Sequence, residues 1–210
     1  MGLIKLKDVS FSYHPDNPVL SGLNFEILDR ERVALTGPNG SGKSTILHLI
    51  VGLLLPDKGV IEAFGRERKS QKDFYEVRER AGLLFQDADD QLFSPTVIED
   101  VRFGPLNKGL SKTQADIKAH EALKLVGLLG FEDRVAHKLS GGEKQLIALA
   151  SVLAMEPEVL LLDEPTAGLD QKAFDKLVGV LKELPQSMVI ISHDQTFLKE
   201  LATRTVILSS

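Results

Sequence analysis

Between residues 33 and 50 the chain reads Val33-Ala34-Leu35-Thr36, then Gly37-Pro38-Asn39-Gly40-Ser41-Gly42-Lys43-Ser44-Thr45, then Ile46-Leu47-His48-Leu49-Ile50. The first apolar run predicts a buried strand, and the last predicts the body of a helix. Glycines between them let the backbone curl so that its N–H groups point to one centre, beside the positive end of the helix. The stretch therefore predicts a loop that binds phosphate groups.

The loop satisfies the pattern G-x-x-x-x-G-K-S in the strand-to-helix setting that this pattern requires. Lys43 would reach the terminal phosphates of ATP, and the Ser44 hydroxyl would ligate Mg²⁺. A glycine-rich turn without a ligand is the alternative interpretation. We predict that ATP and Mg²⁺ are the ligands and that the nucleotide contacts the whole loop, namely Gly37, Pro38, Asn39, Gly40, Ser41, Gly42, Lys43, Ser44 and Thr45.

A pair of acids follows the apolar run Val159-Leu160-Leu161-Leu162. This run predicts a buried strand whose end carries Asp163 and Glu164. Asp163 would hold Mg²⁺, because hard cations prefer oxygen ligands. Glu164 would accept a proton from the water that attacks the phosphate. A strand that ends in two acids is a weak signal alone, but beside a phosphate loop it predicts ATP hydrolysis.

The composition narrows the class of protein. The 210 residues include 25 basic and 30 acidic side chains, and the net charge of −5 argues against nucleic acid as the main partner. The chain has no cysteine, which excludes disulfides and favours a reducing compartment. No apolar run has the length of a membrane span, and the N-terminus lacks the apolar region of a signal peptide. We therefore expect a soluble protein that reaches a membrane only through a partner.

Short apolar runs that alternate with amphipathic stretches predict an α/β fold. The strands before Gly37 and near Gly59 predict a small antiparallel sheet beside the main one. From 87 to 154 the strand signal disappears, and helical patterns follow Ser111 and Gly142. We predict one domain, with an α/β core of residues 1–86 and 155–210 and a helical subdomain of residues 87–154. The expected strands are Ile4–Lys7, Asn24–Leu28, Arg32–Thr36, Gly59–Ala63, Gly82–Phe85, Val159–Asp163, Met188–Ser192 and Thr205–Leu208, and the other helices are Lys43–Leu54, Asp170–Leu184 and Gln195–Ala202.

Leu139-Ser140-Gly141-Gly142-Glu143 precedes the second of these helical patterns. With the phosphate loop and the acid pair, it makes the chain resemble, nearly end to end, the nucleotide-binding subunits of ATP-binding-cassette (ABC) transporters. The resemblance implies a P-loop NTPase fold, with a RecA-like core sheet flanked by helices. It also implies that Ser140, Gly141 and Gly142 close over the ATP of a facing ATPase subunit, which is a second copy or a close relative. A plain serine helix cap is the alternative.

Further positions match the same family. Tyr13 matches the aromatic residue that stacks on adenine, although a core aromatic is the alternative. Gln86 matches the glutamine that senses Mg²⁺ and the γ-phosphate, and Gly168-Leu169-Asp170 matches a segment that crosses the dimer interface. His193 matches the histidine that contacts the γ-phosphate, with a structural histidine as the alternative. The resemblance thus implies a catalytic set of Glu164, His193, Lys43 and Gln86 and a metal-binding set of Ser44, Gln86 and Asp163.

The segment from Gln86 to Leu106 resembles the energy-coupling-factor (ECF) branch, which includes the ATPases that import cobalt, nickel and vitamins. This resemblance implies a peripheral subunit at the cytoplasmic face of the membrane, with a transmembrane subunit docked in a groove near the Gln86 loop. Asp87, Asp89 and Asp90 could hold a transported metal ion, although a solvated acidic loop is the commoner explanation.

Two positions depart from the family pattern. Glu143 stands where glutamine is most common, and Leu146 stands where arginine is usual. A negative charge beside a phosphate-binding helix tip is unfavourable unless the side chain points away. These departures keep open a nucleotide-dependent assembly scaffold without significant hydrolysis, and a soluble non-transport ABC ATPase is a further alternative. The chain ends at Ser210, where many ECF ATPases continue, so pairing is expected to depend on ATP and the membrane partner.

Overall fold

The computed structural model describes residues 2–208, which form nine strands and seven α-helices. The strands are β1 (Gly2–His14), β2 (Asn17–Leu28), β3 (Arg32–Thr36), β4 (Lys58–Ala63), β5 (Arg66–Arg68), β6 (Ala81–Leu84), β7 (Val159–Asp163), β8 (Ser187–Ile191) and β9 (Arg204–Ile207). The helices are α1 (Lys43–Ile50), α2 (Phe74–Arg80), α3 (Val97–Asn107), α4 (Lys112–Leu125), α5 (Gly141–Leu153), α6 (Gln171–Glu183) and α7 (Gln195–Leu201).

The main sheet is parallel, with the strand order β6-β7-β8-β3-β9. Strands β7 and β8 are buried along their whole length, which explains their nearly unbroken apolar sequences. Because the strands are parallel, their carboxyl ends share one edge of the sheet. The phosphate loop after β3, the acids at the end of β7 and the segment after β8 therefore meet at that edge.

Alternate residues of the central strands face different layers. Val159 and Leu161 belong to one hydrophobic core, which includes α1 and residues of β1, β2 and β4. Leu160 and Leu162 belong to a second core, which includes residues of α5, α6 and α7. The main sheet is thus the middle layer of three, and the predicted α/β fold with a flanked core sheet is confirmed.

The second sheet is antiparallel, has the order β2-β1-β4-β5 and confirms the predicted small sheet. Strand β1 runs well past its predicted end at Lys7 and continues to His14. Its pairing with β2 shifts register several times, and Asp8 has a positive φ of 49°. Such bulges interrupt the two-residue alternation of a strand, so the second half of β1 carried no clear signal in the sequence.

Helix α1 ends at Ile50, before the predicted end at Leu54. Gly52 has a φ of 69°, and the amides of Gly52 and Leu53 donate back to carbonyls of the last helical turn. This is a glycine C-terminal cap, which the sequence signals by a glycine after the last periodic residue. A Cβ at Gly52 would lie 2.2 Å from the ring of Phe74, so the same glycine lets α2 pack closely.

Helices α3, α4 and α5 lie between β6 and β7 in the chain, and all three contribute to the core of α6 and α7. The division of the chain at 87 and 154 stays a prediction.

The sequence did not predict α2 or α3. Helix α3 contains Pro105, which is unfavourable in a helix interior. Thr96 and Glu99 form a capping box at its start, and this pattern could have revealed the helix.

Strand β6 lies so close to α5 that position 82 accommodates only glycine, because a Cβ there would lie 2.2 Å from Val152 Cγ1. We expect Gly82→Ala to lower the free energy of unfolding by about 1–3 kcal/mol through overpacking, as measured by urea denaturation. Gly179→Ala on α6 is the control, since its Cβ would meet no atom within 4 Å. It should raise stability by about 0.5–1 kcal/mol. Adding Val152→Ala should recover part of the Gly82→Ala loss, and strictly additive effects would contradict this contact.

Candidate functional site

The carboxyl edge of the main sheet opens into a cavity of about 910 Å³. A cavity of this size can hold a small-molecule ligand. Residues from five separate segments of the chain, all predicted as site residues, line it together: Tyr13, Asn39, Gly40, Gly42, Lys43, Ser44, Thr45, Gln86, Asp163, Glu164 and His193.

Glycine conformations shape the phosphate loop. Gly40 and Gly42 have positive φ values of 79° and 87°, and no side chain caps the first amides of α1. These N–H groups lie at the positive end of a helix and suit an anionic ligand. A Cβ at Gly42 would lie 2.7 Å from Leu20 of β2, whereas a Cβ at Gly40 would meet no atom within 4 Å. Strand β2 therefore supports the loop from behind at Gly42.

The Lys43 side chain folds back over the start of the phosphate loop. Lys43 Nζ donates to the carbonyls of Gly37 at 3.0 Å and Pro38 at 2.9 Å. Ser41 is buried, and its Oγ has no hydrogen-bond partner among residues 2–208. An ammonium, an unpartnered hydroxyl and uncapped helix amides form a set of donors that fits a phosphate group.

Oxygen atoms lie next to this set of donors. Asp163 ends β7 with only 7% of its surface exposed, and it lines the cavity together with Ser44 and Gln86. A carboxylate, a hydroxyl and a side-chain amide offer the hard oxygen ligands that Mg²⁺ prefers. The three residues predicted to bind metal are therefore brought together, and their chemistry fits this ion.

Glu164 has a strained backbone, with a φ of 44° that non-glycine residues rarely adopt. Its amide donates to the Ile191 carbonyl at 2.9 Å, and its Oε2 accepts from the His193 amide at 3.2 Å. Its Oε1 is buried and lies 3.3 Å from His193 Nε2, but in a geometry that makes no hydrogen bond. The His193 ring is largely exposed. One carboxylate oxygen of Glu164 is thus left without a hydrogen-bond donor among residues 2–208.

Tyr13 is not a core residue, since 54% of it is exposed. Phe11 holds its ring edge-on, with ring centroids 4.9 Å apart, and its hydroxyl lies 3.2 Å from Thr45 Oγ1. The interpretation of Tyr13 as a core aromatic is therefore wrong. The exposed ring is available for stacking at the same cavity as the loop.

Other residues of the cavity were not predicted from the sequence, namely Val19, Thr166, Ala167, Ile191 and Asp194. Asp194 Oδ1 accepts from the amides of Thr196 and Phe197 and caps α7. An aspartate between a strand and a helix is a recognisable cap, so this residue could have been found. Val19 carried no such signal, because β2 reaches the loop only through tertiary packing.

The Ser140 segment lies apart from this cavity. Gly141 lines a neighbouring hollow of about 730 Å³ with Ser44 and Gln86. Ser140 and Gly142 line a third hollow, of about 540 Å³. Ser140 is the N-cap of α5, and both Ser140 and Gly141 are exposed. Within one chain the helix tip is therefore outside the cavity that Lys43 lines, and it is open to solvent.

Glu143 and Leu146, the two departures from the family pattern, both make contacts within the chain. Glu143 turns back onto the helix tip, where its Oε2 accepts from the Ser140 amide at 2.9 Å and from the Ser140 hydroxyl at 2.8 Å. These bonds, with help from the charges of Arg134 and Lys176, hold the pKa of the Glu143 carboxyl below its ordinary value. Leu146 is buried in the core that α5 shares with the main sheet. The Glu143 charge thus does not point away from the tip.

The acidic loop after Gln86 makes local contacts. Asp87 Oδ1 accepts from the Asp89 amide and caps a short 3-10 turn. Both carboxylate oxygens of Asp89 accept from Lys144 of α5, at 2.7 and 3.0 Å. Within residues 2–208, no group of three or more histidine and acidic side chains is arranged to hold a metal ion. These contacts favour the interpretation as a solvated loop that is tied to α5.

The chain is similar to known proteins over most of its length. The sequence matches the family model described as ABC transporter over residues 20–167. It is 43% identical over 212 residues to the energy-coupling factor transporter ATP-binding protein EcfA of Methanothermobacter thermautotrophicus, covering 99% of this chain and 68% of that protein. It is 46% identical over 198 residues to EcfA of Methanocaldococcus jannaschii, covering 92% of this chain and 71% of that protein.

Two solved structures have the same fold. One is cbiO1 from Clostridium perfringens, part of the ABC transporter complex cbiONQ, with a TM-score of 0.87 and 36% identity over 99% of this chain and 85% of that chain. The other is a dimeric post-hydrolysis state of the ATP-binding cassette MJ0796 bound to ADP and Pi. It has a TM-score of 0.88 and 29% identity, over 98% of this chain and 94% of that chain.

The contact between Gly42 and Leu20 can be tested by substitution. Gly42→Ala combines a positive φ with a close Cβ contact, so we expect the free energy of unfolding to fall by about 2–4 kcal/mol and nucleotide affinity to fall by roughly tenfold or more. Urea denaturation and titration with a fluorescent ATP analogue measure the two effects. Gly40→Ala is the matched control, because it carries only the backbone cost of about 1 kcal/mol. Equal losses of stability in both variants would contradict the support from β2.

Proposed function

Because this chain belongs to the ABC transporter family, as an ATP-hydrolysing subunit of its energy-coupling-factor branch, we propose that it powers an importer for cobalt or nickel ions or for a vitamin. The observation that carries the proposal is the single cavity at which Lys43, Asp163 and Glu164 meet. Phosphoryl transfer to water requires a phosphate-binding cation, a metal ligand and a group that orients or deprotonates the water. The choice of cargo rests on the resemblance of the segment from Gln86 to Leu106 to the energy-coupling-factor branch.

ATP would bind with its phosphates over the loop and the start of α1. Lys43 would exchange its two bonds to loop carbonyls for bonds to phosphate oxygens, which are charge-assisted and stronger. The other loop residues would contribute backbone amides. Tyr13 would stack on the adenine, since its ring is exposed at the same cavity.

Ser44, Gln86 and Asp163 would hold Mg²⁺ through oxygen atoms. The ion would neutralise part of the charge that the terminal phosphates carry. Burial keeps Asp163 in one position and strengthens its attraction for a cation. Gln86 is exposed after β6, so it can respond to events both in the cavity and at the surface.

Glu164 would act as the general base and take the proton of the attacking water on its carboxylate. The bond from the His193 amide to Oε2 orients the carboxylate for this role. The exposed His193 ring would contact the γ-phosphate. Strain of the kind found at Glu164 is typical of functional positions, because the surrounding structure must maintain it.

Substitution of the base tests the catalytic proposal. Glu164→Gln keeps the size of the side chain but cannot accept the proton, so turnover should fall by roughly a hundredfold or more, while ATP affinity is retained. Phosphate release and binding of a fluorescent ATP analogue, each with and without magnesium, measure the two quantities. Glu67→Gln, at an exposed position of β5, is the control and should behave like the parent chain. Unchanged turnover in Glu164→Gln would remove Glu164 from the proposed role.

Two ATPase subunits would pair across the start of α5, which consists of Ser140, Gly141 and Gly142 and is called the Ser140 tip below. The Ser140 tip of each subunit would close over the ATP of the other. The exposure of Ser140 and its separation from its own cavity support this arrangement. A dimeric cassette of the same fold supports it as well. Gly168 lines both the hollow that Gln86 lines and the hollow that Ser140 lines, as expected for a segment at such an interface.

Blocking the Ser140 tip tests the pairing. In the Glu164→Gln background ATP persists, so the chain should form a dimer in ATP, and Ser140→Arg should prevent it by filling the tip with a long side chain. Sedimentation measures pairing, and a fluorescent ATP analogue reports binding at the chain's own loop, which should persist. Ser111→Arg makes the same change at the N-cap of α4 and serves as the control. A normal ATP-dependent dimer with Ser140→Arg would refute the proposed arrangement.

A transmembrane partner would dock beside the Gln86 loop. An apolar hollow of about 280 Å³ lies there, and Phe93 and Phe103 stand exposed beside it with ring centroids 4.9 Å apart. Asp100 Oδ2 is buried at this hollow without a partner among the described residues. No helix in the described part of the chain has the length and hydropathy of a membrane span. We place the chain at the cytoplasmic face of the membrane, as a peripheral subunit.

A further inference from the structure

Helices α4 and α5 begin with the same capping box but use different residues. At α5, Glu143 Oε2 accepts from the Ser140 amide at 2.9 Å and from its hydroxyl at 2.8 Å. At α4, the neutral Gln114 Oε1 accepts from the Ser111 amide at 3.0 Å and from its hydroxyl at 2.9 Å. The cap needs an oxygen atom at this position, but it does not need a negative charge.

The Glu143 charge lies at a helix start that would meet a polyphosphate. The single proton of the Ser140 hydroxyl is donated to the carboxylate within the cap. The carboxylate also opposes the partial positive charge of the first amides of α5. The carboxyl is ionised at neutral pH, and the Ser140 bonds hold its pKa below its ordinary value. The start of α5 is therefore a weaker anion site than the start of α1, which no side chain caps.

The tip is nevertheless open to a ligand on one side. A Cβ at Gly141 would meet no atom within 4 Å, whereas a Cβ at Gly142 would lie 2.6 Å from Ala173 of α6. Helix α6 thus anchors the tip from behind, and the Ser140 side faces outward. Space at Gly141 therefore does not limit the approach of a phosphate group.

We propose that Glu143 is a positioning residue that weakens the grip of the Ser140 tip on the nucleotide of the facing subunit, and so sets how long the ATP-bound dimer stays closed. This rests on the proposed two-chain site. The phosphate oxygens of the facing nucleotide must compete with Glu143 Oε2 for the Ser140 hydroxyl and must approach against its charge. An amide at position 143 preserves the cap and removes the charge. The closed dimer would then be tighter and would open more slowly, which would limit turnover.

The test is Glu143→Gln in the Glu164→Gln background. We expect the dissociation constant of the ATP-bound dimer to fall by about tenfold at low salt, and this gain to shrink as salt rises to about 0.5 M, because salt screens exposed charges. The ATP affinity of the monomer should not change. The urea midpoint should fall slightly, because the amide keeps the cap but loses the attraction of the carboxylate to the helix start, Arg134 and Lys176. With Glu164 intact, Glu143→Gln should lower both KM for ATP and kcat. Glu99→Gln makes the same exchange in the capping box of α3 and should leave the dimer unchanged.

The outcomes separate this inference from the proposed function. Dimerisation of Glu143→Gln that is unchanged or weaker would overturn the inference, as would a gain that Glu99→Gln shares or that salt does not reduce. If Ser140→Arg blocks pairing while Glu143→Gln has no effect, only the role of Glu143 fails. If Ser140→Arg pairs normally in ATP, the two-chain site itself fails.

Discussion

Parallel pairing of β3, β7 and β8 is the constraint on which the site depends. It brings the ends of three strands that are far apart in the sequence to one edge of the main sheet. The phosphate loop, the Asp163–Glu164 pair and His193 then line one cavity. Because β7 and β8 are buried along their length, hydrophobic packing on both faces holds the polar ends in register. The apolar strands thus position the polar residues that follow them at this edge of the sheet.

The two helix starts that carry glycine motifs differ in their electrostatics. Helix α1 begins at Gly42 with uncapped amides and a lysine, so it presents an unopposed positive end. Helix α5 begins at Ser140 with its amide and hydroxyl donating to Glu143. In the proposed two-chain site, the start of α1 would hold the nucleotide firmly and the start of α5 would engage it reversibly. Such an asymmetry fits a cycle in which binding closes a dimer and later steps must open it.

The loop that contains Gln86 lies beside the starts of both α1 and α5. Gln86 lines both the cavity that Lys43 lines and the hollow that Gly141 lines. Asp89, in the same loop, pairs with Lys144 one turn into α5. A partner that docks at the apolar hollow near Phe93 would therefore contact the Gln86 loop. That loop adjoins the proposed nucleotide site and, through Asp89 and Lys144, the first turn of α5. In the proposed function, these contacts would connect the membrane partner with the site of ATP.

The sequence by itself determined the α/β class, the phosphate loop, the strand that carries Asp163 and Glu164, and the family, because these depend on local patterns and on motifs. It could not reveal the length of β1, whose bulges break the alternation of a strand, or the contribution of Val19, which reaches the site only when β2 packs behind Gly42. Nor could it decide whether the Glu143 charge turns toward or away from the Ser140 tip. Only the folded helix start determined that, because the carboxylate finds its two donors, the Ser140 amide and hydroxyl, once the first turn of α5 has formed.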